Sequence, residues 1–73
     1  MVKQLAPNQF WYKDGGKIVF QSYETTVCTI ENYENGNEPV ITITPGQPQS
    51  RTTAKYLNQF LSLHTSVDNY KKL

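Results

Sequence analysis

Residues 9–23 read Gln9-Phe10-Trp11-Tyr12-Lys13-Asp14-Gly15-Gly16-Lys17-Ile18-Val19-Phe20-Gln21-Ser22-Tyr23, and their pattern decides the fold class. Two runs rich in aromatic and β-branched residues flank Asp14-Gly15-Gly16. Such runs favour strands because their side chains pack well on a pleated surface. Asp-Gly between them marks a hairpin: the tight turn needs positive φ, and glycine supplies it without a steric cost. The expected strands are 9–13 and 17–23. Alternation in the second puts Ile18 and Phe20 on one face and Val19 and Tyr23 on the other.

Outward from this hairpin, residues 25–31 form a third expected strand. Cys28 and Ile30 share its core face, while Thr29 and Glu31 face water. Residues 32–38 are loop by composition, with Asn35-Gly36 marking a turn. Residues 39–44 read as a fourth strand, with Ile41 and Ile43 on one side. Pro39 is tolerated there as the first residue. Pro45, Gly46 and Pro48 make 45–49 a connector. Ser50 or Thr52 then caps a helix over 50–64 by accepting a free backbone N–H. Ala54, Leu57, Phe60, Leu61 and His64 recur at spacings of three and four, with Tyr56 and Leu63 widening the stripe. Lys55, Asn58, Gln59 and Ser62 line the opposite side. Residues 1–7 read as a lead-in ended by Pro7, and 65–73 as a polar tail from which Val67 and Tyr70 are available to dock. The expectation is a single α+β domain: an antiparallel sheet of three to four strands, hairpin or meander, with one C-terminal amphipathic helix on one face.

Size and composition bound the function. A chain of 73 residues is one domain. A domain this small buries only about 60% of the surface its unfolded chain exposes. One Trp, five Tyr and three Phe supply most of the bulk for its core. The single cysteine, Cys28, cannot form an internal disulfide. No apolar run approaches membrane length, and the N-terminus lacks the apolar stretch of a signal peptide, so no membrane partner and a cytoplasmic location are expected. A net charge of +1 excludes both an acidic nucleic-acid mimic and a strongly basic coat protein. Residues 24–38 nevertheless hold Glu24, Glu31, Glu34 and Glu38 and no basic residue. Such a block is either a solvated hairpin end or one acidic face.

Catalytic chemistry has few residues to work with. His64 is the only histidine, and it ends the helix stripe, where packing or interaction with the helix dipole accounts for it. Cys28, mid-strand, reads as a small buried hydrophobe. Together they fall short of a metal set, so no catalytic residues, no metal and no cofactor are expected, and the chain is not read as an enzyme.

Binding offers three readings. Ser50, Arg51, Thr52, Thr53 and Lys55 gather hydroxyls and cations at a helix start, which suits either plain capping or an anion such as phosphate. Sheet aromatics with Lys13 and Lys17 would suit nucleic-acid stacking, although the same rings are needed by the core. A protein interface would use the face that the helix leaves bare. Its candidates are Trp11 or Tyr12, Val19, Tyr23 and Val27, with Glu24, Glu31 and Glu34 from the acidic block. An open sheet edge could also join copies into a homo-oligomer.

One resemblance adds context. Phe20-Gln21-Ser22-Tyr23-Glu24-Thr25, a following strand, and Ser50-Arg51-Thr52-Thr53-Ala54-Lys55-Tyr56-Leu57-Asn58-Gln59-Phe60-Leu61 resemble short, functionally uncharacterised proteins of tailed bacteriophages. Those share an aromatic-x-Ser-Tyr strand and a Ser-x-Thr-Thr-x-Lys helix start. The resemblance spans about residues 9–63, with a longer connector here at 45–49. It implies no activity. It implies a setting in the host cytoplasm, where small phage proteins bind and block host proteins, including by anti-CRISPR inhibition of defence nucleases.

Overall fold

Pro7 and Asn8 reverse the chain, and this turn makes a strand of the expected lead-in. The computed structural model describes residues 2–31 and 39–73. It is α+β, with a five-stranded antiparallel sheet in simple sequence order: β1 Val2–Ala6, β2 Gln9–Asp14, β3 Lys17–Ser22, β4 Thr25–Glu31 and β5 Val40–Ile43. Helix α1, Arg51–His64, follows, and a 3-10 turn at Tyr70–Lys72 ends the chain. The strand count is therefore five, not three to four. The additional strand is β1, which pairs Val2 with Tyr12, Lys3 with Trp11 and Gln4 with Phe10. Its register shifts between Gln4 and Ala6, at Leu5, which packs against the core.

The turns are made as their residues require. Gly15 supplies φ 61° to the β2–β3 turn. Asn8 adopts φ 64° after Pro7, the order that a type II turn favours. Tyr23 adopts φ 57° and so belongs to the β3–β4 turn rather than to the strand. The two turns at this end are joined, because the Tyr23 N–H donates to the Asn8 carbonyl at 2.6 Å.

The helix covers one face of the sheet. Ile18, Phe20, Cys28 and Ile30 meet Leu57, Phe60 and Leu61, and Phe20 stacks on Phe60 with ring centroids 5.4 Å apart. Val27, expected on the bare face, is fully buried in this core. The reason is a bulge: Phe20 pairs with Cys28, but Gln21 pairs with Thr26, so Val27 is the extra residue and turns inward beside Cys28. Leu63, expected to widen the stripe, is 60% exposed, while Thr53 is buried in its place. Residues 65–73 are more than a tail. Val67 and Tyr70 pack on the core, and the Tyr70 N–H donates to Asn58 Oδ1 at 2.8 Å. The expected Asn35-Gly36 turn lies outside the described residues.

Candidate functional site

The expected anion cluster divides on inspection. Ser50 is the N-cap of α1, and its Oγ accepts from the Thr53 N–H at 3.1 Å. The same hydroxyl donates to Thr53 Oγ1 at 3.1 Å, and Thr53 Oγ1 lies 3.3 Å from Ser22 Oγ on β3. Ser50 and Thr53 thus form a hydroxyl chain that fastens the helix start to the sheet. Arg51, Thr52 and Lys55 remain exposed. Arg51 and Lys55 line an open groove of about 450 Å³ whose far wall includes Asn69, Tyr70 and Lys71. Sequence reasoning missed that wall. Its signal was the surplus of Lys and Arg over Asp after residue 39.

The protein-interface candidates also divide. Alternation along β2 places Trp11 on the helix side, where its ring meets His64 edge-on at 4.4 Å. Tyr12, the next residue, faces the other way. The register then lines up a row across all five strands: Val2 opposite Tyr12, Tyr12 opposite Val19, Val19 opposite Thr29, Thr29 opposite Thr42. Val19 is buried within this row even though the helix is on the other side of the sheet. Beside it runs a charged row in which Lys17 pairs with both Asp14 and Glu31, and Glu31 with Val40. On the other side lie Gln4, Phe10 and Gln21. Tyr23 and Glu24 sit at the β3–β4 turn, both exposed. Glu34 lies outside the described residues.

Cys28 and His64 both face inward. Burial pushes the Cys28 thiol up to about 12, so it stays protonated and unreactive at neutral pH. His64 is held below its ordinary value of 6.5, first by burial and then by the positive charge of Lys13. Among the described residues, no group of three or more His, Cys, Asp and Glu is placed to hold a metal ion. No described helix is long and apolar enough to cross a membrane.

Residues 2–73 match the Family of unknown function (DUF8033). The chain belongs to that family. The match takes in β1 and the C-terminal 3-10 turn, so both ends of the fold fall within the DUF8033 region. No curated protein and no solved structure matches the chain.

Proposed function

We propose that this DUF8033 chain is a non-enzymatic binding protein that docks a partner protein on the face of its sheet that helix α1 does not cover. In the phage setting implied by the sequence resemblance, the partner is a host protein that the chain blocks, as an anti-CRISPR inhibitor blocks a defence nuclease. The observation that carries the reading is the Val2–Tyr12–Val19–Thr29–Thr42 row, bordered on one side by Asp14, Lys17 and Glu31. Exposed Val2 and Val40 and half-buried Tyr12 on this face, beside charged residues, give the mixture of apolar and polar area from which interfaces are built. The molecule measures 32 × 28 × 20 Å, so its broad side is on the scale of a standard interface, about 800 Å² per partner.

The arrangement favours protein over nucleic acid. Phe10 and Tyr12 share the face that α1 does not cover with Lys17, which stands between two carboxylates. Arg51, Lys55 and Lys71 line a groove on the helix layer. Base stacking and phosphate contacts would thus be divided between opposite layers. The test is capture from host lysate with the natural chain and with Tyr12→Lys plus Val40→Lys. One stoichiometric partner retained by the first and lost by the second is expected. No such partner, or equal capture by both, defeats the reading. A dimer in light scattering that the same substitutions dissociate assigns the face to a second copy instead.

A further inference from the structure

The groove between α1 and the C-terminal 3-10 turn has a mixed lining, with Pro48, Ala54 and Tyr70 among its walls, and every charged side chain in it is a cation. Arg51 and Lys55 come from the helix, and Lys71 comes from the turn. Two asparagines, Asn58 and Asn69, also line it, and the orientation of their amides is chemically fixed. A backbone N–H can only donate, so the amide end turned towards it must be the oxygen. Asn58 Oδ1 accepts from the Tyr70 N–H at 2.8 Å, and Asn69 Oδ1 accepts from the Lys71 N–H at 2.9 Å. Each oxygen is therefore turned to the backbone, which leaves the NH₂ group as the other end of each amide. The nearby carboxylate, Asp68, is held by Lys72 at 2.8 Å and does not line this groove. Among the described residues, no carboxylate does. The free N–H groups of the helix start are not needed for this argument, since the Thr53 N–H is already capped by Ser50.

We propose that this groove binds the phosphate groups of a small phosphate-bearing ligand. Three cations and two amides on two walls, with no carboxylate among the described lining residues, match the chemistry of a phosphate, which offers acceptor oxygens and negative charge together. The volume of about 450 Å³ suits a ligand of nucleotide size. The site lies on the helix layer, opposite the face assigned to protein docking, and does not depend on that assignment.

The test uses the full chain in low salt, titrated with pyrophosphate and separately with a nucleoside triphosphate, read by NMR. Saturable shifts at the Asn58 and Asn69 side-chain amides and the Lys71 backbone amide are expected. The double variant Asn58→Asp, Asn69→Asp keeps both acceptors for Tyr70 and Lys71, so the fold is retained, yet it replaces the donors with carboxylate oxygens. It should weaken binding by about tenfold or more, given the strength of hydrogen bonds to charged groups. Lys17→Ala, a cation on the other layer, should change it less than twofold. Equal affinity for the two probes makes this a site for the phosphates alone. Tighter binding of the nucleotide extends it to the nucleoside. No saturation at millimolar ligand, an equal loss with Lys17→Ala, or binding confined to long oligonucleotides overturns the proposal.

Discussion

His64 sits between Trp11 and Phe60, its ring 4.4 Å and 5.1 Å from theirs, and its Nε2 is buried without a hydrogen-bond partner. A neutral imidazole tolerates this place better than a charged one. Burial and Lys13 therefore hold its folded-state value below 6.5. The sign of the consequence follows from proton linkage. As pH falls below about 6.5, the unfolded chain takes up the proton first, so stability is full above that value and declines beneath it. The melting temperature should fall between pH 7 and pH 5, and His64→Phe should flatten the slope. Equal slopes in scanning calorimetry would refute this. The exposed Asp68 does not confuse the result, because Lys72 lowers its carboxyl below 3.8, outside this window. The sequence located His64 at the end of the apolar stripe. It could not show that Trp11 lies over the ring, because alternation in 9–13 fits either Trp11 or Tyr12 on the helix side. Only the pairing of Trp11 with Phe20 settles which it is.

Elements whose own residues carry a period were legible, and elements defined by their neighbours were not. The β2–β3 hairpin and α1 fall where their turn and stripe placed them, and Ser50 caps the helix as one of two expected candidates. Strand β1 has no alternation of its own. Its side chains are mostly exposed, and it is a strand because β2 offers it an edge. The Val27 bulge breaks the two-residue period that the expectation relied on. The Tyr23 turn raises a sharper question. A non-glycine residue in the left-handed region costs about 1–2 kcal/mol, and this tyrosine is 64% exposed, so packing returns little. Tyr23→Asn keeps the N–H that reaches Asn8 and suits positive φ. It should stabilise the fold by about 0.5–1 kcal/mol in urea melts, since Asn tolerates this region. Tyr23→Val, β-branched, should destabilise it. If Tyr23→Asn is destabilising, the ring contributes to the fold in a way that its exposure does not reveal.

At the scale of the whole molecule, a sheet with one helix on it has two unlike surfaces. The sequence reading named residues on both surfaces but mixed their places. It grouped Ser50 and Thr53 with the cations, although a single helical turn cannot show which hydroxyls the sheet will claim. It passed over Asn58, Asn69 and Lys71, because a polar C-terminal segment gives no sign that it folds back until Tyr70 is seen to meet Asn58. The two surfaces share no residue. The proposed docking row lies on strands β1 to β5, and the groove lies between α1 and the terminal turn. The core of Phe20, Phe60 and Leu57 separates them, and a close-packed core deforms little. Energies at separated sites with no common partner add to within about 0.3–0.5 kcal/mol. Binding of a partner protein should therefore be indifferent to pyrophosphate in the groove. The Asn58→Asp, Asn69→Asp chain should capture its partner as well as the natural one does, and Tyr12→Lys should leave pyrophosphate affinity unchanged. A double-mutant cycle read by calorimetry measures this directly. Coupling above about 0.5 kcal/mol would mean that the layers shift together on binding, and the groove would then be a regulator of the docking face instead of an independent site.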